Sequence, residues 1–315
     1  MPRPRRVSSD LPALTHTATE PDANPAAVTL VTDDGFLLGG SRWLATGESR
    51  GVVLIAPATG APHRFYLPFA EFLASRGFDT LTWDWRGIGD SRHEGSLRDP
   101  RLTMRAWGER DLAAAIAWGE RRRPEGPIHL VGHSFGGQAL GLAPNAGSVT
   151  SAVLIAAQHG WVGHWPRGER WKLALLWRLG MPLASRVLGR FPSAWLGLGE
   201  DLPGGVAREW ARWNRRPQHL GTWSGHAALQ IPMLALSFTD DTFAPRAAVE
   251  ALLRAYPTAR VEHEHLAPEG LGHFGFFREG CAPDHWNRVA EFLLAPTAAA
   301  YIRPRGHETA PTDLR

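Results

Sequence analysis

The sequence has only one cysteine, Cys281, and only one lysine, Lys172. A single thiol cannot form a disulfide within the chain, so the fold needs no oxidising compartment and a cytoplasmic location is predicted. Because every other basic residue is an arginine, the composition is typical of a GC-rich bacterial genome.

Long apolar runs and an excess of one charge are also missing. The first 26 residues lack the apolar core of about 7 to 15 residues of a secretory signal, and no stretch approaches the roughly 18 apolar residues that suggest a membrane span. A formal net charge of +3, from 34 basic and 31 acidic residues, is too small to indicate a nucleic-acid partner. The sequence does not indicate an oligomeric state.

Apolar runs and amphipathic helical stretches alternate through most of the chain. An opening hairpin is predicted at residues 27–31 and 37–44, and later strands at 52–56, 78–83, 128–131, 151–155, 233–237 and 260–266. Continuous apolar strands separated by helices favour an α/β fold with a mostly parallel sheet that is covered on both faces. Residues 1–26 and 295–315 lack this pattern and are predicted to be disordered tails.

The alternation stops between residues 159 and 228. This segment holds eight of the 14 tryptophans together with helical patches, which predicts an inserted, helical, Trp-rich cap. Residues 27–158 and 229–294 then form the α/β core. The tryptophans could pack the interior of the cap or form an apolar wall beside a cleft, and both interpretations stay open.

Ser134 lies in a Gly-x-Ser-x-Gly motif, with Gly132 and Gly136 on either side. The motif follows a predicted buried strand and precedes a predicted helix, and a sharp strand-to-helix turn exposes a serine hydroxyl for nucleophilic attack. The two glycines let the strand and the helix approach each other closely. We therefore predict that Ser134 is a covalent nucleophile and that the Phe135 N–H is one donor of an oxyanion hole.

A nucleophilic serine needs an acid and a histidine, which in such a fold follow it along the chain near the ends of later strands. Asp240 and Asp241 follow the strand at 233–237, and His273 lies between glycines after the strand at 260–266. His273 is the predicted general base, oriented by an aspartate. Spacing alone does not separate Asp240 from Asp241.

This order of motifs resembles the α/β-hydrolase superfamily over about residues 27–294. It is similar in particular to bacterial serine hydrolases of the monoglyceride-lipase-like and serine-aminopeptidase-like kinds. The resemblance implies an α/β-hydrolase fold, a serine esterase activity without a cofactor, and Asp241, four residues before Pro245, as the acid. It also implies a structural role for Arg86, since residues 84–91 resemble the Asp-x-Arg-Gly-x-Gly-x-Ser loop of that family.

The second oxyanion donor of that family comes from a loop that often contains His-Gly, whereas this chain has Pro57-Ala58-Thr59-Gly60. Pro57 has no N–H, so Thr59 is the predicted donor and Ala58 the alternative. The expected partner is a small-molecule acyl substrate, and His133, Trp161 and Trp165 are predicted to bind it. Besides ester hydrolysis, an acyltransferase that uses the same triad and a non-catalytic small-molecule-binding protein stay open.

Other candidate sites are weaker. His263 and His265 alternate on a predicted strand and would share one face, but a solvated strand face is the preferred interpretation and no metal is expected. Glu169, Glu200 and Asp201 are acidic residues that could bind a free α-amine in an aminopeptidase. No nucleotide-binding glycine motif is present.

Overall fold

The computed structural model describes residues 24–93, 97–197, 199–220, 223–267 and 270–295. The tails predicted at 1–26 and 295–315 lie almost wholly outside these ranges, and the first strand begins at Ala26. None of the helices in the described ranges is long and apolar enough to cross a membrane.

Eight strands form one sheet, and its order and directions confirm the predicted fold class. They are β1 (Ala26–Val31), β2 (Leu37–Trp43), β3 (Val52–Ala56), β4 (Asp79–Trp83), β5 (Ile128–His133), β6 (Ser151–Ile155), β9 (Pro232–Phe238) and β10 (Arg260–Leu266). Their spatial order is β1-β2-β4-β3-β5-β6-β9-β10. The strands from β4 to β10 pair in parallel, whereas β1 and β2 form the antiparallel hairpin predicted from the sequence.

Helices cover both faces of the sheet, since β3 to β6 and β9 are buried throughout. The helices of the core are α1 (Leu67–Ser75), α2 (Met104–Ala106), α3 (Ala113–Arg122), α4 (Phe135–Ala139), α9 (Arg246–Leu253) and α10 (Pro283–Leu294), with a π-helical stretch at Trp107–Leu112 between α2 and α3. Short 3₁₀ turns occur at His63–Tyr66, Gly89–Ser91, Leu140–Leu142, Ala146–Ser148 and Gly275–Phe277. Two apolar cores result, one on each side of the sheet.

Helices also fill the segment between β6 and β9. They are α5 (Arg167–Leu175), a π-helical stretch (Leu176–Gly180), α6 (Met181–Leu188), α7 (Gly204–Trp213) and α8 (Ser224–Ala228), with 3₁₀ turns at Val162–His164 and Ser193–Leu196 and a two-stranded ribbon of β7 (Arg190–Phe191) and β8 (Leu202–Pro203). Of its tryptophans, Trp165, Trp177, Trp213 and Trp223 are buried. These four therefore serve as packing residues, which is one of the two roles considered for them.

Candidate active site

Ser134 occupies the turn between β5 and α4 with a backbone conformation that L-residues rarely adopt, at φ 52° and ψ −116°. The neighbouring glycines make this turn possible. A Cβ on Gly136 would lie 2.1 Å from the Ala56 carbonyl oxygen, and one on Gly132 would lie 2.5 Å from the Gly137 Cα. Strain of this kind costs on the order of 1–3 kcal/mol and persists only where the surrounding fold enforces it.

Asp241 and His273 form a buried hydrogen-bonded pair. The Nδ1 of His273 is 2.8 Å from Oδ2 of Asp241, and the two side chains are almost fully shielded from solvent. The other carboxylate oxygen, Oδ1, accepts from the N–H groups of Phe243 and Ala244, at 2.8 and 2.9 Å. Because a carboxylate oxygen accepts, Nδ1 of His273 carries the proton and donates to Asp241, which fixes the tautomer of the imidazole.

Asp240 makes a different contact. Its exposed carboxylate accepts from the backbone N–H of Gly272, at 2.9 Å, and thereby supports the loop that carries His273. Of the two aspartates that spacing left open, the structure therefore brings Asp241 to the imidazole and Asp240 to the backbone beside it.

Ser134 and His273 line one cavity of about 60 Å³. The Oγ of Ser134 donates to Oε1 of Gln158 at 3.4 Å, and no hydrogen bond joins Ser134 Oγ to His273 among the described residues. Catalytic hydrogen bonds are often formed only once substrate is bound. Thr59 lines the same cavity, so three of the five predicted catalytic and oxyanion residues share its surface.

The two candidate oxyanion donors in the loop after β3, Ala58 and Thr59, differ in their hydrogen bonding. The Ala58 N–H donates to the hydroxyl of Tyr66 at 2.8 Å, whereas neither the Thr59 nor the Phe135 N–H is a donor in the backbone hydrogen bonds of the described residues. Ala58 is thus already engaged. The Phe135 side chain points away from the cavity and packs edge-on against Trp85 and Trp107, which leaves only its backbone for a role in catalysis.

Tyr66 and His133 form a buried relay between two loops of the site. Because the Tyr66 hydroxyl accepts from Ala58, its own proton is directed to Nδ1 of His133, 2.8 Å away. His133 then carries its proton on Nε2 and donates to the carbonyl oxygen of His273, at 2.8 Å. Burial, and then the neighbouring His273, lower the pKa of His133 well below its usual range, so His133 is neutral. It connects the loop after β3, through Tyr66, to the loop that carries His273.

The three side chains predicted to bind substrate lie elsewhere. His133 is fully buried in the relay, Trp165 is buried and donates its Nε1–H to the Thr242 carbonyl, and Trp161 packs against His164. None lines the cavity, because β5 turns His133 towards α1 and the segment after β6 turns both indoles away.

Other side chains supply the cavity wall, and sequence reasoning did not identify them: Gln158, Phe191, Ser193, Leu202, Trp210, Phe243 and Phe274. Gln158, Phe243 and Phe274 had a signal, since each lies in a loop beyond the carboxyl end of a strand or beside a predicted triad residue. Phe191, Leu202 and Trp210 had none, because only the folding of the segment between β6 and β9 brings them there.

The charged residues singled out from the sequence are paired with residues of opposite charge. Buried Arg86 binds Asp111 at 2.7 Å and Asp34 at 2.9 Å, in keeping with a loop anchor. The aminopeptidase candidates do not line the cavity: Glu200 pairs with Arg64, Asp201 with Arg190, and Glu169 with Lys172.

Metal-ligating side chains have other partners too. His263 and His265 share a face, as predicted, and both contact the Ser237 hydroxyl at 2.8 Å. Among the described residues, His63, Asp84 and Asp90 approach ligand spacing. However, Asp84 already accepts from the Nδ1 and N–H of His63 and from the Asp90 N–H, so its oxygens are satisfied without an ion.

Comparison with known proteins supports the fold. A sequence model of the Alpha/beta hydrolase family matches residues 52–292. Among solved structures, a monoglyceride lipase from Saccharomyces cerevisiae aligns with a TM-score of 0.64 at 16% identity, over 85% of this chain and 94% of the other. The alpha/beta hydrolase GrgF from Penicillium sp. sh18 aligns with a TM-score of 0.60 at 21% identity, over 86% and 98%.

A thermostable carboxyl esterase from Bacillus coagulans aligns with a TM-score of 0.57 at 11% identity, over 85% of this chain and 97% of the other. At such identities these likenesses establish a shared fold. No curated protein sequence matches the chain at a significant level.

Proposed function

This chain belongs to the alpha/beta hydrolase family, and we propose that it is a serine hydrolase that cleaves an ester or related acyl bond of a small apolar substrate. The observation that carries the proposal is the cavity into which both Ser134 and His273 open, with buried Asp241 behind the imidazole. A strained serine, a histidine with a fixed tautomer and a shielded carboxylate are the parts that acyl transfer needs.

The reaction begins with Ser134 releasing Gln158 and turning its hydroxyl to His273. Since Nδ1 of His273 donates to Asp241, Nε2 is the nitrogen that takes the serine proton as Oγ attacks the acyl carbon. The N–H groups of Phe135 and Thr59 stabilise the oxyanion. His273 returns the proton to the leaving alcohol, and a water molecule then hydrolyses the acyl-enzyme by the same proton path in reverse.

The cavity lining favours an apolar acyl group. Phe191, Leu202, Trp210, Phe243 and Phe274 supply most of its wall, and burying apolar surface there contributes roughly 25 cal/mol per Å². Ligand pockets usually measure about 300–1,000 Å³, well above the 60 Å³ seen here. A substrate of ordinary size therefore needs more room than this cavity offers, and part of the cavity wall must move for it to enter.

Labelling of the purified full-length protein by a fluorophosphonate probe tests the nucleophile. We expect the wild type to label, and Ser134→Ala and His273→Ala to lose labelling while keeping the wild-type circular dichroism spectrum. Absence of labelling in folded, monodisperse wild type would instead favour a binding protein. For a chain that labels, a panel of esters of increasing acyl length, with and without added alcohol or amine acceptors, separates hydrolysis from acyl transfer.

A further inference from the structure

One long helical rod crosses the segment between β6 and β9. It consists of α5, the π-helical stretch Leu176–Gly180 and α6, which follow one another without a break from residue 167 to residue 188. Its inner face is buried through Trp177, Met181 and Ser185, and Trp177 packs against Trp210 of α7 at a ring distance of 4.8 Å. The rod is therefore anchored to the protein along one side.

The outer face of the same rod is also apolar. Every fourth residue is a large hydrophobic side chain that is between 53% and 65% exposed: Trp171, Leu175, Leu179, Leu183 and Val187. We call these five residues the outer stripe. Leu188, next to Val187 at the end of the rod, is also an exposed apolar residue.

The π-helical stretch keeps the outer stripe on one side of the rod. Residues four apart drift slowly around an α-helix, which has 3.6 residues per turn. A π-helical turn contains more residues, so it reverses part of that drift at the middle of the rod.

A helix that is apolar on two faces is typical of a buried helix, and a large exposed apolar patch marks an interaction surface.

Positive charge accompanies the outer stripe. Arg170, Arg178 and Arg186 each precede a stripe residue by one position, at intervals of eight residues, so they follow one edge of the stripe. Arg167 and Lys172 are also exposed, whereas Glu169 is the only acidic residue of the rod. Within the described part of the chain, Arg167, Arg178 and Arg186 have no carboxylate partner in an ion pair.

The charge and the apolar side chains of the outer stripe favour one kind of binding partner over another. In an antiparallel symmetric dimer formed by two outer stripes, the arginine edges of both copies would lie along the same rim, where like charges repel. In a parallel dimer the arginines would lie on opposite rims, and the rod offers them only Glu169 as an acidic partner. An anionic lipid surface instead accepts apolar side chains below its headgroups and attracts the arginines, whose long stems let the guanidinium groups stay in the headgroup layer. Tryptophan, here Trp171 at the start of the outer stripe, favours the same boundary.

We propose that the outer stripe docks the protein on an anionic lipid surface, with the rod lying in the plane of the interface. The C-terminal end of the rod leads to the catalytic cavity, because Phe191, just after α6, lines that cavity. The docking does not depend on the proposed esterase activity.

Vesicle flotation with the full-length chain tests the docking. Vesicles of phosphatidylcholine with about a third phosphatidylglycerol are compared with vesicles of phosphatidylcholine alone, and we expect the protein to float with the anionic vesicles. The double variant Leu179→Gln/Leu183→Gln and the double variant Arg178→Gln/Arg186→Gln should each weaken this binding about tenfold or more, because one removes inserted apolar area and the other removes attraction to anionic lipid.

The matched control is Val31→Gln/Leu37→Gln, which replaces two exposed apolar residues paired on β1 and β2 and should bind as the wild type does. All variants replace exposed side chains, and thermal unfolding verifies that they fold. Unchanged binding in both stripe variants would overturn the proposal. The proposal would also be overturned if the wild type did not bind vesicles, including the case in which the outer stripe instead forms a concentration-dependent dimer that Leu179→Gln/Leu183→Gln abolishes. Ser134→Ala should bind as the wild type does, which separates a failure of docking from a failure of the proposed chemistry.

Discussion

Replacing Asp241 by asparagine is expected to disable the protein through the tautomer of His273. The N–H groups of Phe243 and Ala244 both point at Oδ1 of Asp241, so in Asp241→Asn the amide oxygen must take that position. The amide NH₂ then faces Nδ1 of His273, which has to become an acceptor. The imidazole proton moves to Nε2, the atom that should receive the serine proton.

The magnitude follows from that change. The corresponding substitution in a serine protease lowers kcat by about 10⁴ because it imposes the wrong tautomer, equivalent to about 5.4 kcal/mol in the barrier. We expect a loss of similar size in kcat/KM for a p-nitrophenyl ester at pH 7.5, with little change in the melting temperature because the two N–H bonds to the side chain are kept.

Asp240→Asn is the matched control. Its side chain accepts from a single backbone N–H, that of Gly272, and is exposed, and an amide oxygen can accept the same bond. The expected loss is less than about threefold, in line with the small effects of most surface substitutions. Equal losses in the two variants, or a larger loss in Asp240→Asn, would refute the assignment of Asp241 as the acid.

Two further predictions concern buried polar groups. Tyr66→Phe leaves the Ala58 N–H and Nδ1 of His133 without their partner, at about 1–3 kcal/mol each, so we expect a lower melting temperature and roughly a 10- to 100-fold loss of kcat/KM. The control is Tyr256→Phe, which removes one buried hydrogen bond to the Gly137 carbonyl and should lower stability with a smaller effect on activity. Equal activity losses in the two variants would count against the relay of Tyr66 and His133. Acid should also destabilise the fold, because burial lowers the pKa values of four histidines to about 3 or 4 from the ordinary 6.5: His129, His159, His219 and His226. Between pH 6.5 and about 4 the unfolded chain binds more protons than the folded one, so stability falls as the pH falls. The melting temperature of the wild type should therefore drop from pH 7 to pH 5, and that of His226→Phe should drop less steeply. A wild-type melting temperature that stays constant over this pH range would contradict the prediction.

Prediction from sequence succeeded where local pattern decides structure. Continuous apolar runs indicated the buried strands, and the glycines around Ser134 indicated a tight turn, because a Cβ at Gly136 has no room. The positions of Asp241 and His273 after strand ends were also readable, since the carboxyl ends of parallel strands gather at one edge of the sheet.

Side-chain direction was not readable in the same way. Tyr66 and His133 are 67 positions apart, and only the tertiary fold brings their side chains together, so the sequence offered His133 as a substrate-binding residue and did not single out Tyr66. The same reason applies to Trp161 and Trp165, whose indoles turn away from the cavity, and to Gln158, which the turn after β6 directs at Ser134.

The sequence by itself determined the strand and helix order, the sharp turn at Ser134 and the residue types proposed for catalysis, because apolar periodicity and backbone sterics act over a few neighbouring residues. Only the tertiary structure decided which aspartate reaches His273, which N–H of the loop after β3 is engaged, and which face of the rod from 167 to 188 is left exposed. Those outcomes depend on contacts between residues far apart in the chain, and a periodic pattern fixes which residues share a face of a helix but not what that face meets.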